Sequence, residues 1–339
     1  MSVAILKPGL LTTPQDLGRR GWTHLGIGRA GAFDTAALRI ANALCGNRRG
    51  ACALEITLLG PTLRFQSEAW IAVTGAPVRL RVDGVEHATW APIHVPAGST
   101  LELGPIRNGC RSWVAVRGGF DVEPVLGSRS ADANARLGPL GGRPLRAGDV
   151  LETGSETVPG LCFGPDRRIH RDRTNTASGH PATRWRADPR PWFVDDPNRP
   201  LRLLPGRHID TLAKTSRMHM FSKAFKVNVD SNRAGLRLAG PTLECVAPVE
   251  MVSEGCVPGL LQLPPSGQPI AFGPEGPVSG GYPRIGQVAA VDLPRLAQLK
   301  PGDTLRFTPC TLDDAVHAFE QRERALIRLE ANIAARLSA

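Results

Sequence analysis

The chain has 339 residues, a formal net charge of +10 and a hydrophobic content of 42%. This length usually corresponds to two domains and can bury a substantial core. Glycine and proline number 37 and 30, which favours many short strands and turns. With no apolar run of about 18 residues and no charged-then-apolar leader, we expect neither a membrane span nor a secretory signal.

The cysteines and the charge limit the cofactors and partners. Seven cysteines are scattered along the chain without a Cys-x-x-Cys pair, a pattern typical of free thiols in a reducing cytoplasm rather than of disulfides or a zinc site. We therefore predict a cytoplasmic protein with no metal site. The positive charge makes nucleic acid a candidate partner. Nucleic-acid binding is disfavoured, however, because no basic run is interleaved with stacking aromatics. An anionic small substrate or an acidic partner protein explains the charge equally well.

The first motif in chain order is Gln15-Asp16-x-Gly18-Arg19, which places an amide, a carboxylate and a guanidinium within five residues. Arg19 could bind a carboxylate or phosphate bidentately, with Gln15 and Asp16 orienting it or the ligand. Alternatively, an Asp–Arg pair holds a loop in place. The residues by themselves do not separate these two interpretations.

A glycine pattern and a helix follow. Residues 26–31 match G-x-G-x-x-G, but no hydrophobic strand precedes them, and the expected helix cap Asp34 would place a carboxylate where a pyrophosphate should lie. A dinucleotide site is therefore disfavoured. Leu38, Ala41 and Leu44 share one face of the predicted helix, which Gly46-Asn47 ends.

The next segments are short runs typical of strands. They include 63–66, 69–75, 78–84, 101–104 and 112–119, each close to a Gly or Pro. Arg129, within Ser128-Arg129-Ser130, follows the last of them and is a second candidate for anion binding. A solvated turn is the alternative.

The sequence also repeats itself weakly, which predicts two homologous barrels. Five landmarks recur in the same order, and we expect Gly118-Gly119 to superpose on Gly280-Gly281. The landmark pairs are 29–31 with 233–235, 60–63 with 240–243, 95–98 with 257–259, 118–120 with 280–282, and 147–151 with 301–305.

Two segments lie outside the predicted barrels. Residues 165–200 are polar, basic and interrupted by proline, which indicates a linker or a long surface excursion. Residues 311–339 carry Ala315, Val316, Phe319, Leu326 and Ile333 at helical spacing, with charges opposite. We predict an amphipathic helix that packs on a barrel or on a partner protein.

The segment 250–307 is the richest in candidate ligand-binding residues. Polar side chains and a Gly-Gly-Tyr-Pro turn lie among short apolar runs, which predicts a polar groove at the rim of a barrel. Its candidates, with Arg233 just upstream, are Ser253, Glu254, Gln262, Glu275, Ser279, Tyr282 and Arg284.

These motifs resemble those of the biotin-dependent carboxyltransferase-like proteins, which include the C subunit of 5-oxoprolinase and the allophanate hydrolase subunit 2-like proteins of the urea amidolyase-related group. LKPGLLTTPQDLGRRGWTHLG, GAFDTAALRIANALCGN, ALEITLLGPTLRF, SWVAVRGGFDVEPVLGSRSAD and GRPLRAGDVL carry the resemblance, together with the segment 250–307. It implies an all-β fold of two tandem cyclophilin-like barrels with few helices. The expected divisions are 1–164, a linker at 165–200, 201–310 and a C-terminal helix at 311–339.

The resemblance implies that the chain acts within a complex. Similar proteins pair with a B subunit to phosphorylate 5-oxoproline with ATP, and an A subunit completes ring opening. Asp16 and Glu275 are then the catalytic candidates, able to bind Mg²⁺ or orient the reacting group. The substrate-binding candidates are Gln15, Arg19, Arg129, Arg233, Ser253, Glu254, Gln262, Ser279, Tyr282 and Arg284.

Two other functions stay open. One is a carboxyltransferase half that accepts carboxybiotin in trans, since the chain has no Met-Lys biotin-attachment tract. The other is a non-catalytic regulatory binding protein.

One departure from the family motif bears on all three functions. Relatives commonly read Asp-Arg-x-Thr-Thr before Gly-Gly-Tyr-Pro, where this chain has residues 275–279, EGPVS. Loss of that arginine should weaken anion binding and shift acid–base behaviour.

Overall fold

A computed structural model describes residues 1–159, 185–193, 196, 199–247 and 251–338. Within these residues, strands predominate and four α-helices are present, which confirms the predicted mostly-β class. Among the described residues, no helix combines the length and apolar composition needed to cross a membrane. The six cysteines within these ranges are free thiols, as predicted.

The internal contacts divide the chain into two units. The first takes in Met1–Gly18, Asp34–Val194 and Ala325–Ala339, and the second takes in Arg19–Phe33 and Asp195–Arg324. This division differs from the predicted boundaries because residues 19–33 pack with the second unit, where Phe33 joins the hydrophobic core. Most of the predicted 165–200 linker lies outside the described residues. Its described part includes Trp192, which is buried, and Phe193, which packs on the first core.

The first unit contains a seven-stranded and a five-stranded antiparallel sheet, with orders β11-β12-β1-β4-β9-β6-β7 and β2-β3-β10-β5-β8. Helix α1 (Thr35–Leu44) packs on β5 and β10, and Asp34 caps it by accepting a hydrogen bond from the Ala37 amide at 3.0 Å, as predicted. The strands are β1 (Ser2–Lys7), β2 (Leu11–Gln15), β3 (Ala53–Thr57), β4 (Thr62–Phe65), β5 (Ala69–Gly75), β6 (Leu80–Val82), β7 (Val85–His87), β8 (Pro92–Val95), β9 (Thr100–Leu103), β10 (Arg111–Val116), β11 (Phe120–Asp121) and β12 (Val150–Thr153).

The core of the first unit follows from the alternation of side chains along its strands. Leu54 and Ile56 of β3 and Val114 and Val116 of β10 are buried in it. The opposite face of β10 carries Trp113, which is fully buried although it lies outside that cluster.

The second unit is built on one eight-stranded sheet, ordered β21-β14-β15-β18-β17-β20-β13-β22. Only Arg306 separates its two edge strands, so the edges meet and the sheet curls into a barrel. A two-stranded ribbon of β16 and β19 stands apart from it. The elements are β13 (Leu201–Pro205), α2 (Lys214–Ser222), β14 (Phe225–Val227), β15 (Gly235–Ala239), β16 (Glu254–Gly255), β17 (Leu260–Gln262), β18 (Ile270–Phe272), β19 (Ser279–Gly280), β20 (Arg284–Val288), α3 (Leu293–Ala297), β21 (Thr304–Leu305) and β22 (Phe307–Pro309).

Helix α4 (Leu312–Ser338) is the predicted C-terminal helix. Of the predicted apolar face, Ala315, Leu326 and Ile333 are buried, whereas Val316 and Phe319 are 47% and 42% exposed. The helix is therefore confirmed, and packing of these two side chains on a partner protein stays a prediction.

One of the five sequence landmarks has the same structure in both units. In the first, Gly148 donates its amide to the Ile5 carbonyl at 2.9 Å, and the Ile5 amide donates to the Asp149 carbonyl at 2.8 Å. In the second, Gly302 and Val227 repeat this pattern, with the Val227 amide again donating to the aspartate carbonyl at 2.8 Å. Both glycines have left-handed φ values, 89° and 94°.

The glycine pairs do not correspond. Gly118 and Gly119 form a left-handed turn with φ values of 88° and 74°, whereas Gly280 lies in β19 and pairs with Glu254. The predicted superposition of these pairs is wrong, because Gly118 and Gly119 form a turn whereas Gly280 belongs to a strand.

Candidate functional site

The carboxylate of Asp16 is fully occupied within the first unit. Its Oδ1 accepts hydrogen bonds from the Gly18 amide at 2.7 Å and from the Ser128 and Ser130 hydroxyls at 2.7 and 2.5 Å. Its Oδ2 accepts from the Arg129 amide at 2.6 Å. Four donors leave a carboxylate little capacity for a ligand, so these contacts favour a loop-holding role, and catalysis by Asp16 stays a prediction.

The neighbouring candidates of the first unit are also engaged. Gln15 is fully buried, and its amide nitrogen donates to the Ala131 carbonyl at 2.8 Å. Arg129 donates to Glu156 at 2.6 Å and to Asp121 at 3.2 Å. Internal carboxylates thus already take the place that an anionic ligand would need.

A second group of candidates is a buried ion pair in the second unit. The Arg233 Nε donates to the Glu275 carboxylate, and both side chains are at most 4% exposed. Arg233 also donates from Nη2 to the Gly31 carbonyl at 2.6 Å, which fixes the end of the 19–33 segment. Arg19, in the same segment, is 1% exposed. Burial places this group among structural ion pairs.

The third group lies at the surface of the second unit, and we call it the Glu254 site: Arg207, Glu254 and Arg284. Glu254 Oε1 accepts from Arg207 Nη1 at 3.2 Å, and Oε2 lies 3.2 Å from Arg284 Nη2. The carboxylate is 34% exposed, and Tyr282 is 47% exposed. Arg207 is 76% exposed, whereas Arg284 is 19% exposed, so the Glu254 carboxylate joins an exposed guanidinium to a mostly buried one.

Strand β20 anchors Arg284 in the barrel. The residue pairs with Gln262 of β17 next to a register shift between Leu261 and Gln262, and its amide donates to His208 Nδ1 at 3.2 Å. Glu254 instead belongs to the two-residue strand β16, whose only partner strand among the described residues is β19. The guanidinium therefore has a firmer backbone support than the carboxylate.

The ribbon contacts the barrel through Gln262 and Cys256. Gln262 is 3% exposed and its Nε2 donates to the Cys256 sulfur at 3.6 Å. A Cβ on Gly280 would lie 2.7 Å from that Nε2, so a larger residue there would displace the Gln262 amide from this contact. Ser279 of β19 is exposed, as is Ser253, which directly precedes β16.

The Cys256 thiol is held in its neutral form. Desolvation raises its pKa; the Arg284 guanidinium lowers it and Glu254 raises it. A nucleophilic thiolate is not favoured here.

The described contacts thus bring Glu254 and Arg284 together, and separately Arg233 and Glu275. The sequence further predicts that six residues converge on one polar cleft, because ligand sites favour such positions, and this stays a prediction: Arg19, Arg233, Glu254, Glu275, Tyr282 and Arg284. Sequence reasoning missed Arg207, His208 and Cys256. Gly206-Arg207-His208 directly follows the apolar run of β13, and this strand-end position was the available signal.

The catalytic candidates also bear on metal binding. Within the described ranges, no group of three or more His, Cys, Asp or Glu side chains could hold a metal ion. The two catalytic candidates do not fit Mg²⁺ either, since donors surround Asp16 and a guanidinium binds Glu275.

Comparisons with known proteins agree with the fold. The chain is 37% identical to the 5-oxoprolinase C subunit of Escherichia coli over 94% of this chain and 95% of that protein. It is 33% identical to the 5-oxoprolinase C subunit of Haemophilus influenzae over 92% of each. The crystal structure of the Kluyveromyces lactis urea amidolyase matches 97% of this chain with a TM-score of 0.83 and 30% identity. This chain spans only 20% of that larger protein.

A family model gives the same assignment. The model described as carboxyltransferase domain, subdomain A and B, matches residues 25–309, which includes the barrel of the second unit and the Glu254 site. The chain belongs to this carboxyltransferase-domain family.

Proposed function

We propose that this chain is the C component of a bacterial ATP-dependent 5-oxoprolinase. It would act with partners that resemble the B and A subunits of that enzyme on 5-oxoproline or a related amide. The supporting observation is the end-to-end match to two proteins named as this component, each covered over more than nine tenths of its length. A cytoplasmic location belongs to the same proposal.

The proposed task of this chain is to bind and position the substrate. The substrate carries a carboxylate, and the Glu254 site offers arginines on a partly exposed rim. Phosphoryl transfer to the lactam oxygen would further need cationic groups and metal around the phosphates. In this proposal the companion proteins bind ATP and Mg²⁺, and this chain supplies cationic side chains.

A carboxyltransferase role is the second candidate. The supporting observation is the likeness to the urea amidolyase structure over 97% of this chain. In that case a carrier protein would supply carboxybiotin in trans.

Co-expression with the companion proteins tests the proposal. The reconstituted complex should consume 5-oxoproline only with ATP, and the isolated chain should show little turnover. Carboxyl transfer from carboxybiotin by the same complex, without loss of 5-oxoproline, would favour the second candidate. Complex formation with neither reaction would favour a regulatory binding protein, and robust turnover by the isolated chain would refute the partnership.

A further inference from the structure

The guanidinium of Arg284 has an open hydrogen-bonding edge. Its Nε and Nη2 atoms are buried, yet among the described residues neither has a hydrogen-bond partner. Nη2 is within ion-pair distance of Glu254 Oε2, at 3.2 Å, but the alignment does not make a hydrogen bond. These two N–H groups lie parallel on one side of the guanidinium, the arrangement that binds a carboxylate bidentately.

Leaving this edge without a partner is costly. A buried donor that lacks an acceptor loses its hydration without compensation. The backbone of Arg284 is held by β20 and by its bond to His208 Nδ1. The residue is therefore held in place with an unfilled requirement for an acceptor.

Glu254 is a weak occupant of that position. It contacts each arginine through one oxygen at 3.2 Å, rather than through two short bonds. Arg207, its second partner, is 76% exposed, and exposed ion pairs contribute little stability. Its strand is two residues long and, within the part of the chain that the structure describes, pairs with β19 alone, so few described contacts resist a movement of the carboxylate.

We propose that Arg284 binds the carboxylate of a small ligand through its Nε–Nη2 edge, and that Glu254 is an internal counter-ion that the ligand displaces. Glu254 neutralises Arg284 in the empty site and competes with the incoming anion. The displaced Glu254 stays within reach of Arg207, which lies farther towards solvent. This inference rests on the proposed function only in naming the ligand, a five-membered ring with a carboxylate.

Binding of three probes to the isolated chain at constant ionic strength tests this inference, because screening by salt alters such contacts. The probes are 5-oxo-L-proline, tetrahydrofuran-2-carboxylate, which keeps the carboxylate without the lactam, and 2-pyrrolidinone, which keeps the lactam without the carboxylate. Ligand-observed NMR titration measures each dissociation constant. Both carboxylates should bind more tightly than 2-pyrrolidinone.

Two variants of the site should change carboxylate binding in opposite directions, and a third variant serves as a control. Glu254→Gln removes the competing charge and should tighten binding of both carboxylates about two- to fivefold, the scale of an exposed ion pair. Arg284→Lys keeps the charge but loses the bidentate edge, and should weaken binding about tenfold or more. Asp210→Asn, the control, breaks the exposed Arg217–Asp210 pair of the same unit and should leave the binding of both carboxylates unchanged.

The outcomes separate this inference from the proposed function. Weaker or unchanged carboxylate binding by the folded Glu254→Gln protein overturns the counter-ion role. Unchanged binding by Arg284→Lys overturns the carboxylate site, even if the complex consumes 5-oxoproline. If both variants behave as expected but the complex never consumes 5-oxoproline, the site stands and the proposed function fails. The gain from Glu254→Gln cannot arise from misfolding, so it is the decisive measurement.

Discussion

The buried Arg233–Glu275 pair yields the sharpest stability prediction. Removing one partner leaves a charge at a position that is at most 4% exposed, which typically costs about 3–5 kcal/mol. We therefore expect Glu275→Leu and Arg233→Met each to lower the free energy of unfolding by about that amount. A typical total stability is about 5–15 kcal/mol, so either variant should be severely destabilised.

The double variant should be less destabilised than either single one. Arg233→Met with Glu275→Leu removes both charges at once, and the losses that remain include the hydrogen bond to the Gly31 carbonyl. An unsatisfied carbonyl costs about 1–3 kcal/mol. The expected deficit is thus about 1–3 kcal/mol rather than the sum of the singles, about 6–10 kcal/mol.

Urea unfolding combined with hydrogen exchange of the β15 and β18 amides measures this deficit in the second unit. Asp210→Asn, which breaks an exposed pair, is the matched control and should cost less than about 1 kcal/mol. Additive losses in the double variant would refute the coupling. If Glu275→Gln folds with wild-type stability but abolishes turnover by the complex, the catalytic role predicted from the sequence is correct instead.

Three further predictions concern other contacts. Hydrogen bonds from Arg143 hold the pKa of Asp149 below its ordinary value. The ionised Asp149 carboxylate therefore stabilises the fold at pH values above the ordinary pKa. This contribution is lost as the pH falls through the lowered pKa. Asp149→Asn should therefore be less stable at pH 7, by a difference that shrinks below about pH 4 in urea titrations. Glu330 accepts a hydrogen bond from Arg39 at 2.9 Å and forms an ion pair with Arg49 at 2.6 Å. Glu330→Ala should lower the free energy of unfolding by about 1–3 kcal/mol. Protection of the α1 amides from hydrogen exchange equal to that of the wild type would contradict this. Gly280→Ala should disturb the Gln262 contact and weaken carboxylate binding. Gly255→Ala is the control and should not weaken it, because the nearest neighbour of a Cβ added there is 3.9 Å away. Equal carboxylate binding by the two proteins would contradict the steric argument.

Local patterns predicted several elements correctly because the responsible interactions are local. Asp34 caps α1 through an amide three residues away, and α4 follows from helical spacing of apolar residues. The Ala-Gly-Asp and Pro-Gly-Asp turns adopt the same structure because each glycine supplies a left-handed φ. Residue types also indicated that polar side chains gather near Gly-Gly-Tyr-Pro, where the Glu254 site lies.

The allocation of charges depended on the tertiary structure. Arginines look alike in a sequence, yet Arg233 is buried against Glu275, 42 residues away, while Arg284 contacts Glu254 without a hydrogen bond. Whether a guanidinium holds the fold or can receive a ligand depends on which carboxylates the long-range strand pairing brings to it. The sequence by itself therefore determined the family, the strand-rich class and the candidate residues. The tertiary structure decided which charged side chains are already neutralised, because contacts between distant segments set the burial and the partners of each charge.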